Sequence, residues 1–364
     1  MRWFLIFFIT VYLSLHYYIF YRISNDFRFS HGAAMWFLLA VSFLAFFGIV
    51  SQFFLYRHVS GFGFAVETAY IWLGLLSITV TFLLLGNIMF LFFKSPQAKF
   101  YITSAALIFS VITAAYSYIN VKINSPVMKN ISINVNGLDG KFKIVQLSDV
   151  HINSFTKKEE IKNIISKVNT LEPDAVVITG DLADSDLTFN YKDYGLDAIR
   201  SKYGVFVISG NHEYYRGIEK FENFIANSGF TLLDNKNALV NDSVYFAGIS
   251  DYRESKRFNQ NVYDFKKAFE NVDFSKPVVF LSHQPEAFKE ASKYPFALQL
   301  SGHTHAGQIP PFDIIEKIMF KHFYGLYDEG VGRYVYVTSG TRWWGPAMRL
   351  FIKSEIVLIT LYGK

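Results

Sequence analysis

Seven side chains in the second half of the chain have the types and spacing of metal ligands. Asp149 and His151 stand in "LSDVH", Asp181 in "GDLAD", Asn211 in "GNHE", and His283 in "SHQP". His303 and His305 stand two residues apart in "GHTHAGQ". Each segment follows a short apolar run. Alone, most of these segments read as ordinary turns after a strand. Together they form a mixed nitrogen and oxygen set, suited to borderline or hard divalent ions and unlike a thiolate zinc site. Seven ligands exceed the needs of one ion, and two ions sharing a bridging carboxylate would use them, as in phosphatases and nucleases. Five of the six histidines after residue 122 fall at such strand ends; His322 is the sixth and reads as a surface residue.

The elements that must position these residues follow from periodicity. "KFKIVQL", "AVVIT", "VFVIS", "PVVFL" and "FALQL" read as strands that run into the polar segments. "ISINVNGL", "DSVYFAGISD" and "RYVYVTSGT" read as further strands. Between them, Ile161, Ile164, Ile165 and Val168 have helical spacing ahead of Pro173, "LDAIRSKYG" suggests a short helix, and "IEKFENFIANSG" is amphipathic with Gly229 at its end. Alternating strands and helices predict an α/β domain, whose ligand crevice lies at the carboxyl ends of the strands.

The first third of the chain is different. Trp3–Tyr21, Ala34–Tyr56, Thr68–Phe93 and Phe100–Val121 carry no charge. A bilayer core of about 30 Å needs about 20 helical residues, so four spans are expected. Three is the alternative if the first run, shorter and carrying Thr10, Ser14 and His16, is a signal peptide. The expected organisation is a transmembrane helical anchor over 1–121 and an α/β domain over 122–364. Residues 1–121 net +4 of the chain's +5, so the second part is nearly neutral and offers no basic face for nucleic acid. Arg2, Arg57, Lys122 and Lys129 flank one end of the spans and Arg22, Arg28, Lys94 and Lys99 the other, which leaves orientation open. The absence of cysteine fits the cytoplasm and is compatible with the outside.

The ordered series strand–"DVH", "GDLAD", "GNHE", "SHQP", "GHTHAGQ" resembles the calcineurin-like metallophosphoesterases from about Phe142 to the C-terminus. The resemblance extends to a membrane-associated bacterial branch that includes UDP-2,3-diacylglucosamine hydrolases of lipid A synthesis, and the tail "SGTRWWGPAMRL" is similar to that branch's ending. Ala306 stands where many relatives have a second glycine, and "GPA" stands where they often have "GPP". The resemblance implies a metallophosphoesterase sandwich holding two divalent ions, manganese, iron or zinc. Asp149, His151 and His305 would hold one, Asn211, His283 and His303 the other, and Asp181 would bridge them. It implies hydrolysis by an acidified water, with His212 pointing at substrate to stabilise charge or protonate the leaving group. Asp184 reads as a turn residue or one that orients a ligand, and Glu213 as a helix cap. Arg342 and Arg349 are candidates to meet a phosphate, or ordinary surface arginines. Pro310–Tyr327, with Ile314, Ile315, Ile318, Met319, Phe320 and Phe323, is either core or an apolar lip beside the site. The expected function is a phosphoesterase at a bacterial inner membrane with a cytoplasmic catalytic face, acting on a lipid-linked phosphate. A phosphodiesterase of soluble nucleotides and a non-catalytic membrane scaffold are the alternatives.

Overall fold

The computed structural model describes residues 2–56, 63–124, 126–153, 156–184 and 191–364. Arg57, one of the cations flanking the spans, lies outside them. The four apolar runs are four helices: α1 (Arg2–Asp26), α2 (His31–Tyr56), α3 (Gly63–Phe90) and α4 (Pro96–Ile123). Each is long and apolar enough to cross a membrane. Their sparse polar groups bond to one another, as polar groups in hydrocarbon must. Arg22 bonds Asp26 and Asn87, Thr103 Oγ1 donates to Asp26 at 2.6 Å, and Trp72 Nε1 donates to His16 Nε2 at 2.9 Å. Two later segments, Ile309–Phe312 and Gly345–Phe351, group with these helices. Ile309 and Met348 pack with Ile78 and Ala114, and Ser77 Oγ donates to the Pro310 carbonyl at 2.7 Å.

The second unit, Asn124–Gln308 with Asp313–Trp344 and Ile352–Lys364, is an α/β sandwich of two six-stranded sheets. One sheet has the order β1 (Val127–Val135), β12 (Glu355–Gly363), β2 (Lys141–Leu147), β3 (Ala175–Thr179), β4 (Val205–Ile208) and β5 (Thr231–Leu232). The other has β10 (Gly325–Asp328), β11 (Tyr334–Val337), β9 (Leu298–Ser301), β8 (Val278–Leu281), β7 (Val244–Gly248) and β6 (Lys236–Val240). Ile144, Val177, Phe206 and Ile208 of the first sheet meet Phe246, Val279, Leu300 and Tyr336 of the second in a buried core. On the outer face of the first sheet, α5 (Lys158–Thr170) buries Ile161, Ile164, Ile165 and Val168, and α7 (Ile218–Ser228) buries Phe221 and Ile225. The short helix expected in "LDAIRSKYG" is a single 3₁₀ turn, Leu196–Ala198.

β2, β3 and β4 pair in parallel, as do β7, β8 and β9. Parallel strands present their carboxyl ends on one edge. All five polar segments leave from such ends.

Candidate metal centre

The loops at these strand ends bend sharply. Asp149, His151, Asp181, His303 and His305 all have φ between 49° and 74°. Non-glycine residues in this left-handed region cost of order 1–3 kcal/mol each and persist where the surroundings over-determine them. The surroundings here do so. Asp149 N donates to Gly180 O at 3.1 Å and His151 N to Asp181 O at 3.0 Å, which ties the first loop to the second. The Glu213 carboxylate, 2% exposed, accepts from the backbone N–H groups of Asp181, Leu182, Ala183 and Gly210 at 2.7–3.3 Å. It begins α6 (Asn211–Arg216) and braces the Asp181 loop as well, beyond the cap read from the sequence. Burial and the nearby Asp181 push its carboxyl up to about 7 against those four hydrogen bonds.

Glycine is required where loops touch. A Cβ on Gly210 would stand 2.6 Å from Asp181 N, and one on Gly302 would collide with Ser148 Oγ and the Asp149 carboxylate. Ala306 has φ 51° and is buried. That conformation is one that glycine adopts without strain.

The side chains converge in overlapping groups. Three sets have donor atoms close enough to hold one ion: Asp149, His151 and His305; Asp149, Asp181 and His283; and His151, Asp181 and His212. His151 Nε2 lies 3.0 Å from His305 Nε2, and His305 Nε2 lies 3.3 Å from Asp149 Oδ1. On the other side, Asn211 Oδ1 lies 3.1 Å from His283 Nε2 and 2.9 Å from His303 Nδ1. Asp181 Oδ2 stands between the groups, 3.2 Å from His283 Nε2 and 3.8 Å from His151 Nε2.

The chemistry of this donor set fits divalent cations. His151 Nδ1 is engaged by Asp184 Oδ1 at 2.7 Å and His283 Nδ1 by Thr179 O at 2.8 Å. Each ring has its Nδ1 against an oxygen acceptor and turns its Nε2 inward, the arrangement that orients metal-binding imidazoles. His283 Nε2 then faces two acceptors, Asp181 Oδ2 and Asn211 Oδ1. Asp149, Asp181 and Glu213 are all buried beside one another. Converging lone pairs and buried carboxylates repel until positive charge lies among them. Burial raises the Asp149 carboxyl above its usual range. Burial also acts to raise Asp181, but His283, His212 and His151 together hold it well below.

His212 sits at the edge of this cluster. Its N–H donates to Asp181 Oδ1 at 2.9 Å, and its Nδ1 lies 2.7 Å from Asp184 Oδ1. Burial opposes its charge, but Asp181 and Asp184 raise its pKa to about 9. The exposed rings of Tyr215 and Trp344 flank it, with centroids 5.3 and 6.0 Å away. Sequence reasoning passed over both rings; Tyr215, one helical turn after Asn211 in "NHEYY", was the available signal.

The two arginines are elsewhere. Arg342 is buried, and its Nη1 donates to the carbonyls of Val150 and His151 and to Thr156 Oγ1, while its Nε and Nη2 meet Glu160. It holds the Asp149–His151 loop from behind, so a surface role is excluded. Arg349, 1% exposed, lies in the segment that groups with the helices. His322 is also buried, with Nε2 2.6 Å from Glu329 Oε1 and its ring against Phe288 and Tyr327, which corrects the surface reading. Phe320 and the other members of the expected lip divide: Phe320 is buried with its ring 5.7 Å from that of His303, whereas Ile314, Ile315, Ile318 and Met319 are exposed.

Comparison with known proteins agrees with this geometry. A family profile described as calcineurin-like phosphoesterase matches residues 142–307. An uncharacterized metallophosphoesterase of Helicobacter pylori is 36% identical over 242 residues, 66% of this chain and 65% of the relative. An uncharacterized metallophosphoesterase of Aquifex aeolicus is 31% identical over 229 residues, 62% of this chain and 86% of the relative. A transmembrane protein with metallophosphoesterase domain from Danio rerio is 34% identical over 277 residues, 71% of this chain and 62% of the relative. The match thus spans slightly under two thirds of the Helicobacter and Danio relatives.

Proposed function

The chain belongs to the calcineurin-like phosphoesterase family, and from that premise we propose that it is a membrane-anchored, metal-dependent hydrolase of a phosphoester or pyrophosphate bond in a lipid-linked substrate. The observation that carries the reaction class is the convergence of Asp149, His151 and His305 on one side of Asp181 and of Asn211, His283 and His303 on the other. Two divalent ions in these positions supply an acidified water and screen phosphoryl charge. The chain's own residues do the rest. Asp181 presents one carboxylate to both positions. Neutral Asn211 adds no negative charge where a phosphate docks. His212, held by Asp184 and with its pKa raised by Asp181 and Asp184, stabilises developing charge or delivers a proton to the leaving oxygen. A non-catalytic scaffold has no need of the complete ligand set.

Two features support a lipid-linked substrate: four helices of membrane-spanning length on the same chain, and a catalytic part nearly neutral in charge. UDP-2,3-diacylglucosamine is the first candidate. It entails a bacterial inner membrane and a cytoplasmic catalytic face, because UDP-sugars are made there. One observation favours a second reading, hydrolysis of soluble nucleotides: the exposed rings of Tyr215 and Trp344 beside His212 could stack on a base. The test is turnover by the full chain in proteoliposomes, offered UDP-2,3-diacylglucosamine, other lipid phosphates, and cyclic and linear nucleotides. Faster turnover of an acylated substrate supports the lipid reading; faster turnover of a nucleotide replaces it.

A further inference from the structure

The helix Phe312–Met319 has its polarity inverted. Asp313 and Glu316 are half-buried, and Asp313 Oδ1 and Glu316 Oε2 are shielded from solvent without a hydrogen-bond partner. Phe312, Ile314, Ile315, Ile318 and Met319 face outward, Ile318 with 80% of its surface exposed. A surface helix in water turns its apolar stripe to the core and its charges to solvent. A contiguous apolar face turned outward marks an interaction surface.

The start of the helix indicates what covers it. Residues Ile309–Phe312 group with the spanning helices, and Pro310 O accepts from Ser77 Oγ of α3. Ser77 lies 14 residues into α3, about 21 Å along its axis. The whole helix, 28 residues, is about 42 Å long, against about 30 Å of hydrocarbon. Even if all the excess length lies at its beginning, Ser77 is roughly 9 Å inside the hydrocarbon. Pro310 is therefore at lipid depth, and the inverted helix begins two residues later.

We propose that the helix Phe312–Met319 lies in the bilayer surface with Ile314, Ile315, Ile318 and Met319 among lipid acyl chains. In that setting its polarity is correct: apolar residues meet lipid, and the acidic ones turn inward. Its far end is joined to the metal centre, since Phe320 packs on His303 and Thr304 Oγ1 donates to Phe323 O at 2.8 Å. The inference concerns a lipid-contacting surface and stands whether or not the substrate is lipid-linked.

The chain has no cysteine, so single-cysteine variants can be labelled without background. The full chain carrying Ile318→Cys, or separately Ile315→Cys, is labelled with bimane and reconstituted in phosphatidylcholine–phosphatidylglycerol vesicles. Lys266→Cys, on an exposed residue of the α/β unit, is the aqueous reference. The expected result at 315 and 318 is blue-shifted emission, quenching by doxyl-labelled lipid and loss of quenching by iodide relative to Lys266→Cys. Iodide quenching at both positions equal to that at Lys266→Cys, with no response to doxyl lipid, overturns the proposal. Turnover is not read, so failure here is distinct from failure of the hydrolase reading.

Discussion

Asp184 Oδ1 lies 2.7 Å from His212 Nδ1, and the same oxygen lies 2.7 Å from His151 Nδ1. One carboxylate thus orients both the imidazole proposed to hold metal and the imidazole proposed to act on substrate. Losing such an orienting partner typically costs 10–100-fold in metal affinity or activity. Asp184→Ala is expected to weaken metal binding through His151 and lower kcat through His212 together. Metal titration and steady-state kinetics on the same preparation decide it; unchanged values of both would remove Asp184 from the site.

His212 donates its backbone N–H to Asp181 Oδ1, and its Nε2 lies 3.9 Å from Asp181 Oδ2, near enough that His151, Asp181 and His212 could themselves hold an ion. Given its proposed role at the substrate, His212→Ala should keep its metal and lose about two to four decades of rate, the range of general acid–base groups; metal loss would make His212 a ligand. If His212 is the proton donor, the loss shrinks on nitrophenyl esters, whose leaving groups need no proton. An equal loss across leaving groups assigns it to charge stabilisation.

Glu213 holds four buried N–H groups with one carboxylate. Each donor left without an acceptor costs about 1–3 kcal/mol. Glu213→Ala should lower the chemical-denaturation midpoint markedly and reduce metal content, although the carboxylate is no ligand. Wild-type stability in this variant would show that water replaces the carboxylate at no cost.

Gly210 meets Asp181 without room for a methyl group. Gly210→Ala should displace the Asp181 loop and lower metal content, while Gly32→Ala, at a helical position with nothing nearby, should leave it intact. Equal metal content in the two variants would contradict the close packing assigned to Gly210.

What could be read from the sequence was local. Asp149, His151, Asp181, Asn211, His283, His303 and His305 each follow a strand whose apolar run is self-evident, and the rule that parallel strands present their carboxyl ends together brings them to one edge. What escaped depended on partners far along the chain. β12 was not anticipated: "EIVLITLY" is nearly unbroken in apolar residues, and nothing local says that it inserts between β1 and β2. Arg342 read as a phosphate contact or a surface arginine, yet its guanidinium meets Glu160, 182 residues earlier, and the carbonyls of Val150 and His151. Glu213 read as a cap because its contact with Gly210 is local, whereas its contacts with residues 181–183 are not. His322, in an apolar stretch without strand periodicity, gave no sign of its pairing with Glu329.

The central claim is that Asp181 serves both metal positions while Asn211 serves one. Metal analysis of purified wild type, Asp181→Ala and Asn211→Ala, after equilibration with manganese and separately with zinc, tests it most directly. Two ions per chain are expected in wild type, substantial loss from both positions in Asp181→Ala, and selective loss of one in Asn211→Ala. Full occupancy in Asp181→Ala would contradict the account.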